Sequence, residues 1–290
     1  MKHFLFIIPL MVALQSFSQT DKKGKLYPKI YYKDVSYKTA DYDLAFTLIV
    51  ATDAYVKYKM TIVNKTDDYI VVKPLEIVYT GDTIAHSNED LHKITWKGPS
   101  NKGNTIVAIH NERGFVVPPH AEEHKTLDYK GTPFRVAKFK IDVNGIYRVP
   151  LNGTIISMEN FDLPPTKEEI RVGNMTLKLL SNRLEIKESV AKFECSYDGE
   201  KALIVNQHRS SAITTNGKEV AIGTRYKNPF TLEKGQKDIF TVEYKKGEGS
   251  DDMLNLKVKW NDTFRESNIS KMDRSIIDVE LDEKLTKEKN

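Results

Sequence analysis

The sequence predicts an all-β protein made of two tandem β-sandwich domains. Apolar and polar residues alternate over short runs, as in residues 58–62 and 139–143, whereas the periodicity of long helices is almost absent. Alternation of this kind places successive side chains on opposite faces of a strand. Many short strands at regular spacing are typical of sandwiches and barrels.

A turn-forming pair or cluster follows each alternating run. Residues 58–62 precede the polar turn 64–68 and the apolar run 69–72, and residues 193–197 precede Asp198-Gly199 and the apolar run 202–205. Residues 139–143 precede Asn144-Gly145, and residues 254–260 precede Asn261-Asp262. Asn-Gly and Asp-Gly favour the tight turns of hairpins because both residue pairs tolerate positive φ. We therefore predict strand-turn-strand units along the chain.

An internal repeat suggests that the two domains are duplicates. Three pairs of segments align in the same order: 57–62 with 192–197, 115–130 with 230–245, and 139–148 with 256–265. The second pair aligns without a gap over FVVPPHAEEHKTLDYK and FTLEKGQKDIFTVEYK. Self-similarity at corresponding positions indicates one repeated supersecondary plan.

The repeat predicts where the domains begin and end. The predicted segments are a leader (19–26), the first domain (27–160), a linker (161–170), the second domain (171–280) and a charged, frayed tail (281–290). The linker contains Pro164-Pro165, which cannot lie within a central strand because proline lacks the N–H that a sheet requires. The tail has no apolar face to pack on a core.

In strand number, alternation and turn placement, both domains resemble bacterial immunoglobulin-like sandwiches. The resemblance covers both copies but has no diagnostic motif, since Cys195 is the only cysteine and true immunoglobulin domains carry a Cys–Trp–Cys framework. A chain with one cysteine forms no internal disulfide, so its stability must come from its apolar cores. The resemblance implies a fold and says little about function.

The N-terminus predicts export. Lys2 and His3 are followed by an apolar run over residues 4–14 and by small residues at Ser16 and Ser18. The run is shorter than the roughly 20 residues of a membrane-spanning helix, so residues 1–18 are predicted to be a signal peptide cleaved near Ser18. The pattern resembles exported proteins of Bacteroidota-type Gram-negative bacteria. We predict a periplasmic or extracellular protein without a transmembrane segment.

Charge and motifs argue against several function classes. The net charge is +4, and +3 once Lys2 is removed, which is too small to indicate nucleic-acid binding. Lysines and tyrosines interleave in residues 21–38, a pattern that can bind single-stranded nucleic acid, but in an exported chain we predict a leader and a first strand. The sequence contains no P-loop, nucleophile elbow or dinucleotide fingerprint.

The pair His120 and His124 is predicted to be structural. Two histidines four apart can bind one metal on a helix, but Pro118-Pro119 precede them and strand-like residues follow. On a strand, residues four apart lie about 13 Å from each other, whereas zinc requires each ring nitrogen within about 2 Å. We predict a turn over residues 118–121, a strand over 122–129, and no metal. Cys195 alternates with Phe193 and Tyr197 and is predicted to be a buried, inert thiol.

The first copy is about eighteen residues longer than the second, and the extra residues fall roughly within 80–103. Because loops on a rigid scaffold often carry binding residues, this insertion is the predicted binding site. Its candidate residues are Asp82, His86, Glu89, His92 and Trp96. Trp96 is the best single anchor, since aromatic residues contribute much of the energy of interfaces. The alternative is a divalent-metal site formed by the same histidines and carboxylates.

The favoured interpretation is an exported bacterial binding protein that recognises protein or glycan in the cell envelope, without catalysis or a cofactor. Two alternatives remain open: a hydrolase or metal-dependent enzyme acting on envelope polymers, and a structural spacer in an envelope assembly. The sequence leaves the oligomeric state undetermined.

Overall fold

The computed structural model describes residues 29–52, 55–82, 93–96, 114–130, 138–223, 228–250 and 252–290. These residues form several antiparallel sheets and a short helix at the C-terminus, so the predicted all-β class is confirmed. Within the same ranges, no helix is long and apolar enough to cross a membrane.

The strands follow the two predicted copies. The first copy contains β1 (Ile30–Tyr31), β2 (Val35–Lys38), β3 (Tyr42–Ala51), β4 (Tyr55–Asn64), β5 (Tyr69–Val72), β6 (Ile77–Asp82), β7 (Lys93–Trp96), β8 (Phe115–Val117), β9 (Glu122–Lys130), β10 (Lys138–Val143), β11 (Ile146–Val149), β12 (Thr154–Ile155) and β13 (Phe161–Leu163). The second contains β14 (Glu169–Val172), β15 (Met175–Leu184), β16 (Glu188–Tyr197), β17 (Ala202–Val205), β18 (Ser211–Thr214), β19 (Glu219–Ala221), β20 (Phe230–Leu232), β21 (Gln236–Lys245), β22 (Leu256–Lys259), β23 (Phe264–Ser267), β24 (Ser270–Lys271) and β25 (Ser275–Glu280). Single-turn 3-10 helices (Pro74–Glu76 and Gln207–Arg209) follow β5 and β17, and helix α1 (Glu283–Lys289) follows β25.

Each half of the molecule contains the same three sheets. Outer sheet 1 has the order β1-β3-β4-β9, with β2 also paired to β3, and outer sheet 2 has the order β14-β15-β16-β21. Inner sheet 1 is β25-β10-β6-β7 and inner sheet 2 is β13-β22-β18-β19. Contact sheet 1 is β24-β11-β5-β8 and contact sheet 2 is β12-β23-β17-β20. In each half, apolar side chains from all three sheets form one core.

The two copies exchange their last strands. Strands β24 and β25 of the second copy complete the contact and inner sheets of the first half, where Ile277 lies opposite Ile141. Strands β12 and β13 of the first copy complete the same sheets of the second half, where Phe161 lies opposite Val258. The predicted contiguous domains, 27–160 and 171–280, therefore do not describe the strand pairing, because each half needs strands from the other copy.

The predicted linker, residues 161–170, is wrong for its first residues. Phe161 and Leu163 are buried in the second core, and their strand β13 pairs with β22. Their alternation with the half-exposed Asp162 has the period of a strand. Pro164 follows directly, which is tolerated because β13 is the end strand of its sheet.

The chain crosses between the halves through two short links, residues 150–153 and 268–269. The Ser267 hydroxyl donates to the Pro150 carbonyl at 2.6 Å. The Leu151 amide donates to Asp68 Oδ1 at 3.0 Å, and Asp68 Oδ2 accepts from Arg148 Nε at 2.6 Å. The first crossing is therefore held by groups from both halves.

The contact sheets face each other, which explains the two uninterrupted apolar runs. Residues 69–72 (β5) and 202–205 (β17) are buried at every position. Alternate β5 side chains point into the first core, while Tyr69 and Val71 pack against Ala202 and Ile204 of the second half. Strands buried on both faces lose the polar alternation of half-exposed strands.

The predicted frayed tail, residues 281–290, is also corrected. Asp282 caps helix α1 by accepting from the Leu285 amide at 2.8 Å. The buried Thr286 accepts from the Tyr31 amide at 3.0 Å, and Asn290 Nδ2 donates to the Lys29 carbonyl at 2.9 Å. The helix thereby fastens the C-terminus to β1. Hydrogen bonding, rather than an apolar face, orders this charged segment.

Strand pairing also shifts one segment of the predicted repeat. Tyr129 and Tyr244, which align in sequence, lie opposite Val56 and Ser189, and these two residues are 133 positions apart. Residues 57–62 therefore correspond to 190–195 rather than to 192–197. Because side chains alternate with a period of two, a shift of two residues keeps every side chain on its face. The sequence pattern consequently could not fix the register.

Candidate functional site

The first-copy insertion extends an edge hairpin of inner sheet 1. Strands β6 and β7 pair antiparallel, and residues 83–92 connect them, whereas residues 215–218 connect β18 and β19 in the second half. Corresponding residues are 133 apart at β5 and β17 but 115 apart at β8 and β20. Eighteen additional residues therefore lie between β6 and β8, and the predicted bounds of the insertion, 80–103, stay a prediction.

The predicted binding residues have different outcomes. Asp82 ends β6 opposite Lys93, and Trp96 ends β7 opposite Tyr79. Along the hairpin these two pairs lie three residues apart, which corresponds to about 10 Å. His86, Glu89 and His92 lie outside the described residues. A common binding role for the five residues stays a prediction.

The predicted turn and strand around the two histidines are confirmed. His120 lies in a turn with φ of 53°, and His124 lies on β9 opposite Thr61. The His120 ring nitrogen Nε2 is 2.7 Å from Asp67 Oδ1, so its recorded neighbour is a carboxylate of the β4–β5 turn. Across the described segments, no group of three or more His, Cys, Asp or Glu side chains is arranged to hold a metal ion.

Cys195 is buried in the second core, as predicted. Burial raises the pKa of its thiol to about 12, with a smaller contribution from the nearby Asp238 carboxylate. The thiolate, which is the nucleophilic form, is therefore scarcely populated at neutral pH. The geometry and the pKa both indicate a packing role.

The first core contains three buried tyrosines whose hydroxyl groups lie close together. The Tyr58 and Tyr79 hydroxyls are hydrogen bonded, and Tyr129 Oη donates to the Pro74 carbonyl at 3.2 Å. Burial raises the pKa of all three phenols, so they stay protonated at neutral pH. Their chemistry is limited to hydrogen bonding, and they anchor the 3-10 turn after β5 to the outer sheet.

A charged cluster joins the two halves. Lys73 Nζ lies 2.6 Å from a carboxylate oxygen of Glu233 and 4.3 Å from the centre of the Tyr147 ring. Tyr147 Oη donates to Glu76 at 2.6 Å, and Lys271 of an exchanged strand lies 3.3 Å from the same carboxylate. Burial, with a further contribution from Glu76, raises the pKa of Tyr147. These contacts indicate that the cluster helps to hold the two halves together.

A polar groove lies at one end of outer sheet 2. It has a volume of about 370 Å³ and is lined by Arg171, Gly173, Asn174, Thr176, Ser196, Tyr197, Asp198, Gly235, Gln236 and Lys237. Pairing aligns Arg171, Thr176, Ser196 and Lys237, in that order, across four neighbouring strands. The groove therefore has a straight row of two cations flanking two hydroxyls, which can bind an anionic, hydroxyl-rich ligand.

Sequence reasoning missed this groove. The four side chains occupy outward positions of β14, β15, β16 and β21, which the alternation of those strands indicates. Their alignment in one row depends on strand register, and the period-two pattern does not determine register.

Comparisons with known proteins give little help. No protein-family model matches the chain, and no curated protein matches it. Among solved structures, the chain resembles the yjhA protein from Bacillus subtilis at 16% identity and a TM-score of 0.24, covering 28% of this chain and 71% of that one. It resembles red sea bream transglutaminase at 5% identity and a TM-score of 0.19, covering 83% of this chain and 31% of that one. Likenesses this weak carry no argument about fold or function.

Proposed function

We propose that this chain is an exported binding protein of the bacterial cell envelope that recognises protein or glycan, with the first-copy insertion contributing contacts. The observation that carries the proposal is the difference between two otherwise matched hairpins. Residues 83–92 join β6 and β7, but four residues, 215–218, suffice for the same connection in the second half. A segment that the fold does not require is free to serve recognition.

The position of the hairpin supports this role. Among the strands that the structure describes, β7 is the end strand of inner sheet 1, so its outer backbone groups can pair with an added strand of a partner protein. Asp82 and Trp96 end the two paired strands and flank the inserted segment. A carboxylate and an aromatic ring are suited to contacts with both peptides and sugars.

The proposal includes an architecture and a location. Each half is proposed to be an immunoglobulin-like sandwich completed by two strands of the other copy, because outer, inner and contact sheets share one core in each half. Residues 1–18 are proposed to direct export and to be cleaved near Ser18, which leaves the mature chain in the periplasm or outside the cell.

The test transplants the shorter connection. Residues 83–92 are replaced with Thr215-Asn216-Gly217-Lys218 of the second half, and the mature variant is co-sedimented with purified envelope fragments. We expect binding to weaken by about tenfold or more, with a nearly unchanged unfolding temperature, since the closure entropy of a connection depends only weakly on its length.

The matched control changes the other hairpin. Residues 215–218 are replaced with a different four-residue glycine-containing turn, and binding should equal that of the unmodified chain. If the transplanted variant sediments with envelope fragments as strongly as the unmodified chain, residues 83–92 do not contribute to binding, and the proposal, which rests on this longer connection, fails.

A further inference from the structure

We propose that the groove on outer sheet 2 is a second binding site and that its ligand is an acidic polysaccharide. One row of side chains crosses β14, β15, β16 and β21, and it consists of Arg171, Thr176, Ser196 and Lys237. Neighbouring strands lie about 4.8 Å apart, so the backbone positions of the terminal cations are separated by about 14 Å. This length fits an extended polymer that crosses the strands better than it fits one small anion.

The walls of the groove are shaped by two glycine turns. Gly173 has φ of 56° and Gly235 has φ of 74°, and a Cβ placed on either would meet no atom within 4 Å. Both glycines are therefore required by backbone conformation, and both leave the groove open. Nearby backbone groups are already paired, since the Gly235 amide donates to the Tyr197 carbonyl and the Asp198 amide donates to the Asn174 carbonyl, each at 2.9 Å.

The lining combines groups that recognise sugars with groups that recognise anions. Thr176 and Ser196 offer hydroxyls, Asn174 and Gln236 offer amides, and Asp198 offers a carboxylate acceptor. These groups match the hydroxyls of a polysaccharide, while the two terminal cations match its acidic groups. The Asp198 carboxylate is an acceptor that the hydroxyl groups of a sugar polymer can donate to, whereas a polyphosphate chain offers no hydroxyl donors.

The cations already have carboxylate neighbours, which a ligand can share or displace. Arg171 lies 3.8 Å from Glu169, and Lys237 lies 3.1 Å from Glu194. Both cationic side chains are well exposed, at 73% and 62%. Exposed pairs contribute little to stability, so replacing one carboxylate partner with another loses little.

The test uses polygalacturonate, a linear acidic polysaccharide, with the full mature chain. Binding is measured by titration calorimetry for the unmodified chain and for the double variant Arg171→Gln with Lys237→Gln. We expect the unmodified chain to bind and the double variant to bind about tenfold or more weakly, because two charge-assisted contacts are lost. The matched control, Arg183→Gln with Lys192→Gln, removes the same residue types from the same sheet outside the groove and should keep the affinity.

Three outcomes would overturn the proposal. The first is an absence of polygalacturonate binding by the unmodified chain. The second is equal weakening in the groove variant and the control variant, which would indicate a general effect of charge. The third is binding of polyphosphate as tight as that of polygalacturonate. The transplanted-hairpin variant should still bind polygalacturonate, so the two binding proposals fail independently.

Discussion

The two halves have the same sheets but fill their cores differently. Tyr79 on β6 lies opposite Ile141, and its counterpart Ala212 on β18 lies opposite Val258. Two residues further along the chain from Ile141 and Val258, the first half has Val143 and the second has Trp260, which directly follows β22. These two side chains are buried, as are Tyr79 and Ala212. The large aromatic residue thus lies on β6 in the first half and directly after β22 in the second. Hydrophobic cores tolerate such differences when one residue becomes smaller and a neighbour becomes larger.

Hydrogen bonding differs in the same way. In the first half, Tyr129 donates directly to the Pro74 carbonyl of the 3-10 turn. In the second half, Tyr244 donates to the Ser210 hydroxyl at 2.9 Å, and Ser210 donates to the Gln207 carbonyl at 2.8 Å. Both arrangements tie an outer sheet to the turn after a central strand. Both halves therefore connect a tyrosine of the outer sheet to the 3-10 turn, but only the second half does so through a serine hydroxyl.

The largest expected effect comes from breaking the strand exchange. Removing residues 268–290 deletes α1 together with β24 and β25, which belong to the second copy in sequence but complete sheets of the first half in space. Loss of the buried Ile277 and Val279 alone removes about 3–6 kcal/mol of apolar burial. Hydrogen exchange read by mass spectrometry should show lost protection at residues 139–143 and retained protection at 256–258, which pair with β13.

This pattern separates exchanged halves from tandem domains. In a tandem arrangement, the same truncation would deprotect residues 256–258 and leave 139–143 protected. A shorter truncation that removes residues 283–290 alone is the control. It should affect β1, which α1 contacts, and leave β10 paired.

A smaller effect should follow from emptying one core. Trp260→Ala should lower the free energy of unfolding by about 3–5 kcal/mol, since a large aromatic side chain leaves a cavity. Trp260 Nε1 has no hydrogen-bond partner within the described residues, so the loss is one of packing. The double variant Ala212→Tyr with Trp260→Val has the residue types of the first half at both positions, and it should be more stable than Trp260→Val alone. Denaturant titrations of Ala212→Tyr, Trp260→Val and the double variant measure the three losses in the free energy of unfolding. If the losses of the two single variants simply add in the double variant, the two positions do not compensate for each other.

The smallest expected effect compares two hydroxyls. Tyr129→Phe removes a hydroxyl that donates to the Pro74 carbonyl and lies beside the buried Tyr58 and Tyr79 hydroxyls, and should cost about 1–3 kcal/mol. Tyr244→Phe should cost about 0.5–1.5 kcal/mol, because Ser210 keeps its bond to the Gln207 carbonyl. Urea titrations of both variants measure this difference. A larger loss for Tyr244→Phe would show that the relay through Ser210 is more stabilising than the direct tyrosine contact.

Local patterns in the sequence predicted many of the strands and turns, but they did not predict which strands pair with each other. The sequence predicted the buried runs 69–72 and 202–205, the turn at His120 and the buried Cys195, because burial and turn formation depend on neighbouring residues. The sequence did not predict the exchange of β13 and β25. Alternation determines which face of a strand a side chain occupies, but it does not determine which strand lies beside it. Two similar copies make the problem harder, since either copy offers a suitable edge.

The groove escaped prediction for a related reason. Arg171 and Lys237 are far apart in sequence, and they join one row only through the registers of three strand pairs. The insertion was easier to find because a difference in length between two copies is visible in sequence alone. Its predicted residues nevertheless could not be assigned to a common site, since spacing along an extended hairpin separates Asp82 from Trp96.

The strand exchange also has a consequence for synthesis. The chain is made from its N-terminus, yet Ile277, the partner of Ile141, is 136 positions further along. Until β25 has been made, β10 lacks one of its two partner strands, and an unpaired edge promotes association with other chains. The first half to be made is therefore the last to be completed. A prematurely terminated product retains that open edge, which distinguishes it from the finished molecule.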